Sequence, residues 1–315
     1  MITGLETPWS VAFLGTTALI SERDSGRIRE LVGGATREVG VVAGVVHSGE
    51  GGLLGLATYD SNGTSYLYAY FTGADDNRIV RYPLTGTPGN LGLGAVEPIF
   101  NGIAKAGNHD GGRIAFGPDG QLYVTVGDAG QRERAQDPNS VNGKILRLTP
   151  TGQVPADNPT AGNPMYSMGH RNPQGIGWDA EGRMWAAEFG QDTWDELNQI
   201  TPGANYGWPV VEGIANDPRF VDPVHQWNPD DASPSGLAVI GDTVFLANLK
   251  GQRLTAVSLT DPSQETVFYN EQYGRLRSAQ LAPDGSLWIL TNNTDGRGSP
   301  RAGDDRILRV QLGAG

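Results

Sequence analysis

Two stretches of this chain put side chains capable of chemistry at close spacing. NHDGGR at 108 to 113 carries His109, and VGDAG at 126 to 130 carries Asp128 at the far end of what reads as one hairpin. The return of the strand can bring the two together. An imidazole beside a carboxylate can accept a proton near neutral pH, because its unperturbed pKa lies near 6.5. The same residues also suit plain turn chemistry, a histidine capping the hairpin and an aspartate bonding backbone amides at a strand end. The second stretch, GHRNPQG at 169 to 175, sets His170, Arg171 and Asn172 side by side in a chain with only four histidines. It lies between a Pro/Asn/Gly-rich segment and a turn and reads as a loop entering a strand, where polar groups face solvent or a ligand. Lys250 in LANLKG and Arg275 and Arg277 in GRLRSAQ read on their own as surface charge, and the acidic runs DDNR and GDDR as solvated loops.

The elements that must position these groups are short. With 46 glycines, 20 prolines and only 18% charged residues in 315, the chain reads as many brief segments joined by tight turns, which favours all-β over helical structure. A hydrophobic content of 38% suffices for a substantial core. No apolar run approaches the roughly 18 residues that span a bilayer, so a soluble protein with no membrane insertion is expected. The formal charge of −12 argues against nucleic acid as a partner. With no cysteine there is no disulfide, thiolate metal site or cysteine nucleophile. Met1 leads straight into ITGLETPWSVAF, which reads as structured chain and not as a secretory leader, so a cytosolic protein or a trimmed mature chain is expected.

A pattern of strand, turn and strand recurs. IAFGPDGQLYVTVGD (114 to 128), IGWDAEGRMWAAEFG (176 to 190) and QLAPDGSLWILTNN (280 to 293) are its clearest copies. SVAFLGTTALISERD (10 to 24), LGLATYDSNGTSYLYAYF (54 to 71) and GLAVIGDTVFLANLK (236 to 250) are weaker ones. A second strand-like element follows most of these, beginning at residues 27, 78, 144, 253 and 306, and the fourth slot carries DELNQITP at 195 instead. Six units spaced roughly 40 to 60 residues apart match the scale of a four-stranded propeller blade. The expected fold is a single six-bladed β-propeller of four-stranded antiparallel blades over 1–315, with its function at one mouth of the central channel. A β-sandwich or two smaller β domains would not explain a recurrence over the whole length.

Against this frame GEGGLLGLA (49 to 57), NHDGGRIAFGPDGQLYVTVGDAG (108 to 130), GHRNPQG and DELNQITPGANYGWP (195 to 209) closely resemble the soluble PQQ-dependent glucose and aldose sugar dehydrogenases, over nearly all of the chain. The resemblance implies the same six-bladed fold and an oxidation of aldoses at C1 to lactones. Hydride would pass to the C5 carbon of PQQ, and electrons to an external acceptor. By resemblance His109 is the general base, Asp128 the carboxylate that orients it, and Arg171 the cation beside the quinone oxygen. Asn172, Lys250, Arg275, Arg277 and Thr291 match further cofactor contacts, the cations suiting the three carboxylates of PQQ. His170 is expected to fix its loop. The carbonyls of Gly190 and Gln191 match ligands of a Ca²⁺ that bridges to PQQ, and Glu196 with the Tyr206 carbonyl a second, structural Ca²⁺. A periplasmic or secreted location is implied by the resemblance.

Three positions depart from the family pattern. Glu50 stands where glucose-oxidising members carry a glutamine near the substrate, and Phe189 where some relatives carry a polar residue. Asp231 stands near an expected threonine, where it would repel the cofactor's carboxylates unless turned away or bound to calcium. The chain is also shorter than glucose-specific members, which implies a more open cleft, broader sugar selectivity and a monomer rather than a dimer. Two other functions remain in view. One is a calcium-dependent lactonase using Glu50, Asp110, Asp128 and Glu188 around a central metal; the other is a non-catalytic ligand-binding propeller.

Overall fold

The computed structural model describes residues 2–313, so the ends of the 1–315 unit lie outside the described residues. Six antiparallel sheets follow one another along the chain. The first blade runs Pro8–Leu14, Thr17–Glu22, Arg27–Val32 and Ala35–Val41. The second runs Leu53–Ser61, Thr64–Thr72, Asn77–Thr85 and Glu97–Ile103, with a short extra strand, Gly92–Leu93, pairing at Leu84 and Thr85. The third runs Ile114–Phe116, Leu122–Val126, Lys144–Leu148 and Met165–Met168, and the fourth Pro173–Trp178, Met184–Glu188, Asp195–Ile200 and His225–Trp227. Pro234–Ile240, Thr243–Asn248, Arg253–Ser258 and Glu265–Phe268 form the fifth. The sixth is closed from both chain ends. Leu276–Leu281, Leu287–Thr291 and Arg306–Val310 are joined by Ile2–Thr3, which pairs Ile2 with Ile307 and Thr3 with Arg306. The fold is thus the expected all-β, six-bladed propeller.

A twisted sheet with two apolar faces needs a neighbour on each side, and a ring provides one for every blade. Six buried apolar clusters accordingly fill the six gaps between adjacent blades. Between the second and third blades, for example, Leu54, Tyr68, Tyr70 and Ile79 meet Ile114, Leu122, Val124 and Leu146. Toward the axis the innermost strands approach so closely that at two positions only glycine fits. A Cβ on Gly55 would lie 2.3 Å from the Gly112 carbonyl oxygen, and one on Gly175 2.3 Å from that of Ser235.

This topology explains how separated motifs converge. In an antiparallel blade the start of the first strand and the end of the second lie at the same end of the sheet. Glu50, His109, Arg171, Asn172 and Arg275 precede first strands, whereas Asp128, Gly190, Gln191 and Lys250 follow second strands. All of them therefore come to one face of the ring.

Candidate active site

His109 occupies a backbone conformation with φ of +59°, which an L-residue adopts at an expense of about 1 kcal/mol. Three contacts hold it there. Its N–H donates to Glu50 Oε2 at 2.9 Å, its carbonyl accepts from Ala129 at 3.2 Å, and its Nδ1 lies 2.7 Å from Asp128 Oδ1. Burial pushes the Asp128 carboxyl up, but the hydrogen bond and charge of His109, with donors from Trp208 and Gly130, outweigh it and hold the group below the usual range. An ionised Asp128 can only accept, so Nδ1 carries the proton and the lone pair is on Nε2. That nitrogen accepts from Asn108 Nδ2 at 3.2 Å, a contact a substrate hydroxyl would replace.

Arg171 is buried between two oxygens. Its Nε and Nη2 donate to Gln191 Oε1 at 3.0 and 2.7 Å, and its Nη1 to the Phe189 carbonyl at 3.1 Å. A guanidinium has five N–H donors, so two remain for a ligand. Glu188 accepts from the Arg171 backbone N–H and, at 2.8 Å, from His170 Nδ1, whose Nε2 meets Ser167 Oγ at 2.8 Å. His170 is fully buried, and its bonds to Glu188 and Ser167 fasten the loop from within. Asn172 accepts the Gly111 N–H through Oδ1 at 3.1 Å, while its buried Nδ2 has no partner among the described residues.

His109, Arg171 and Asn172 line a cleft of about 450 Å³ together with Glu50, Phe189, Gly190, Gln191, Asp195, Lys250, Arg275 and Arg297. It continues into a cavity of about 30 Å³ walled by Trp9, Arg23, Gln174, Arg277 and Asp295. Arg275 donates to Asp295 Oδ2 through Nε and Nη2 at 3.1 and 3.0 Å. Arg277 donates to Asn292 Oδ1 and, at 2.9 Å, to Gln174 Oε1. Burial brings Arg277 down to about 9, still charged at neutral pH. Burial does the same to Arg113, which packs 4.1 Å from the Trp9 ring centre and fills the channel below. Lys250, more than half exposed, pairs with Asp230.

Three of the residues singled out in the sequence have partners that the geometry shows. Thr291 is fully buried outside the cleft, where its hydroxyl donates to Asp305 Oδ1 and accepts the Arg306 N–H, both at 2.9 Å. Its one O–H donor is therefore spent within the protein. Asp231 is not among the residues that line the cleft, and its charge is answered by Arg253 at 2.8 Å. Glu50, besides holding His109, bridges to Arg297 at 3.1 Å.

The carboxylates of a lactonase-type centre do not converge. Glu50 and Asp128 are engaged as described, Glu188 is held by His170 and Arg171, and Asp110 accepts from Asn77 at 2.8 Å. Among the described residues no three histidines or carboxylates are placed to hold a metal. Sequence reasoning also missed Asn108, Asp195, Trp208, Asp295 and Arg297. NYGWP was within its quoted motifs, so Trp208 was visible there as a residue but not as a neighbour of Asp128.

Propellers with a proton-accepting pair beside a cation-walled cleft include sugar dehydrogenases, and the comparison with known proteins places this chain among them. The description Glucose / Sorbosone dehydrogenase matches residues 5–308, and the chain belongs to that family of oxidoreductases. It is similar to the PQQ-bound aldose sugar dehydrogenase of Streptomyces coelicolor, with 47% identity, coverage of 98% of this chain and 95% of that one, and a TM-score of 0.93. The apo soluble aldose sugar dehydrogenase of Escherichia coli is 27% identical over 93% of this chain and 95% of its own, with a TM-score of 0.81. Quinoprotein glucose dehydrogenase B of Acinetobacter calcoaceticus is 30% identical over 64% of this chain and 49% of that protein.

Proposed function

We propose that the protein is a quinoprotein aldose dehydrogenase, which oxidises aldoses at C1 to lactones with PQQ as the hydride acceptor and passes the electrons to an external acceptor. The observation that carries this reading is that the His109–Asp128 pair opens on the same cleft as Arg171 and the partnerless amide of Asn172. The residues present fit the cofactor. A planar tricarboxylate would find cations in Arg171, Lys250, Arg275 and Arg297, the apolar surfaces of Phe189 and Leu249, and a waiting donor in Asn172 Nδ2. When bound, PQQ supplies an electrophilic carbon that accepts a hydride and, later, releases two electrons.

The chain's own residues do the rest. His109 Nε2 takes the proton of the anomeric hydroxyl as the C1–H bond breaks, and Asp128 stabilises the imidazolium that results. Arg171 holds a fixed positive charge where negative charge grows, on a guanidinium that is itself buried.

Calcium belongs to the same proposal. Among the described residues no hydrogen bond ends on the carbonyls of Gly190, Gln191 or Tyr206. Backbone carbonyls left free in a cleft are suitable Ca²⁺ ligands. Burial, and next the charge of Glu188, push the buried Glu196 carboxyl up to about 8, and beside it Asn198 Oδ1 lacks a partner. Those acceptors suit a second cation near Glu196 and Tyr206. No helix among the described residues is long and apolar enough to cross a membrane, and a periplasmic or secreted location is part of the proposal.

The test is dye reduction with glucose and other aldoses before and after reconstitution with PQQ and Ca²⁺. Activity should require both and should disappear on chelation. Absence of activity, with an unaltered PQQ absorption spectrum on mixing, would remove the reading. A finer check is cofactor titration of two variants. Lys250→Ala should weaken PQQ binding about tenfold and Arg275→Ala up to about a hundredfold, the difference following from the much deeper burial of Arg275. Unchanged binding in both would take them out of the site.

A further inference from the structure

Trp208 belongs to the fourth blade's long loop, yet its indole reaches Asp128 of the third. Its Nε1–H donates to Asp128 Oδ2 at 2.9 Å. Oδ1 of the same carboxylate takes His109 Nδ1–H at 2.7 Å and the Gly130 N–H at 2.8 Å. The indole is therefore the protein's one donor to Oδ2 among the described residues. The backbone of Trp208 is held at both polar atoms, its N–H bonded to the Gly169 carbonyl at 3.0 Å and its carbonyl accepting from Gln136 Nε2 at 2.7 Å. Gln136 and Asn205 exchange a second pair of amide bonds at 3.0 and 2.7 Å, tying the two loops together. The ring itself lies 5.6 Å from the Arg171 guanidinium carbon and 5.2 Å from that of Arg132.

We propose that Trp208 is a positioning residue of the dehydrogenase, which sets the basicity of the His109–Asp128 pair through its indole N–H and holds Arg171 in register with that pair through its ring. The inference rests on the functional reading above. Indole suits both parts of the role. Its N–H donates and cannot accept, so it favours the ionised carboxylate alone. Its face attracts a guanidinium, and its bulk keeps water from Asp128, which is 1% exposed. Every other charged group facing the pair is fixed from another direction. Glu50 accepts the His109 N–H and is neutralised by Arg297, Asp110 follows His109 in the chain, and Arg171 lies beyond Asp128. Trp208, on Oδ2, and the Gly130 N–H, on Oδ1, act on the carboxylate by neutral hydrogen bonds, and of the two only the indole is a side chain that substitution can remove.

The sign of its effect follows. A carboxylate deprived of one donor concentrates more charge on the oxygens facing His109 and stabilises the imidazolium more strongly. The base then releases its proton only at higher pH. Trp208→Phe keeps an aromatic ring and removes the donor. In the protein without cofactor, the His109 ring titration followed by NMR should move up by about half a pH unit or more, and the acid limb of kcat/KM should move with it in the reconstituted enzyme. PQQ affinity should stay within about twofold, because the ring beside Arg171 persists. Trp208→Leu removes donor and ring, and should add a loss of about tenfold in PQQ affinity. If Trp208→Phe does not fold, benzothienylalanine at position 208 replaces the N–H by sulfur and keeps the bicyclic shape. An unshifted His109 titration in a folded donor-free variant overturns the first half of the proposal, and Trp208→Leu binding PQQ as wild type does overturns the second. A wild-type protein that reduces no dye after reconstitution, together with a shifted titration, would refute the dehydrogenase reading while supporting the coupling of Trp208 to the pair.

Discussion

Replacing His109 by alanine is expected to lower kcat about a thousandfold, with PQQ titration unchanged within about twofold. The expectation rests on what the substitution leaves behind. His109 donates its backbone N–H to Glu50 and gives its carbonyl to Ala129, and alanine keeps both groups. The loop should therefore hold its course, although φ of +59° is less comfortable for alanine. His109→Asn is the useful companion, since asparagine tolerates left-handed backbone and separates loss of the base from strain. Both variants lose the Nε2 lone pair, and neither touches the cations that would hold the cofactor. Steady-state dye reduction with PQQ and Ca²⁺ at saturation measures the effect. Activity within a few-fold of wild type would show that another group takes the proton, and would move the base assignment away from this hairpin.

Arg171→Ala should be nearly as severe, with a loss of about a hundredfold to a thousandfold in kcat and a smaller one in cofactor affinity. Here the effect is electrostatic. Burial lowers the Arg171 pKa, while the charges of Asp128 and Glu188 raise it, so the guanidinium is a desolvated cation among carboxylates. Removing it leaves Gln191 Oε1 and the Phe189 carbonyl without their donors and takes away the charge that answers the growing oxyanion. Arg171→Lys should not rescue. An ammonium cannot span Gln191 and Phe189 and still offer two directed donors to a ligand. Single-turnover reduction of bound PQQ by sugar reads the step directly. A rate near wild type in Arg171→Ala would place the arginine in cofactor binding alone.

Much of this protein was legible before its structure. The hairpin copies at 114 to 128, 176 to 190 and 280 to 293 are local signals, set by a turn of few residues and a period of two, and each appears as the first two strands of a blade. His109 and Asp128 could be paired in advance because a hairpin returns its chain to its starting edge. The outer strands were harder to read. Glu265–Phe268 has neither alternation nor burial, and Ile2–Thr3 acquires its place only through the partner at the far end of the chain. Such strands are defined by the sheet they complete, not by a pattern of their own.

By itself, then, the sequence determined the six-fold β architecture and the end of the blades at which its polar motifs gather, because strand periodicity and tight turns act over short stretches; the roles expected of His109, Asp128 and Arg171 came from the family those motifs resemble. Tertiary structure alone decided which polar atoms find one another across blades. It turned Asp231 toward Arg253, engaged Thr291 with Asp305, linked Glu50 to Arg297, and brought Trp208 to Asp128 from 80 residues away. The reason is physical. A hydrogen bond requires its partners to meet within a few tenths of an ångström, and that distance is set by how six blades twist and pack around a shared axis.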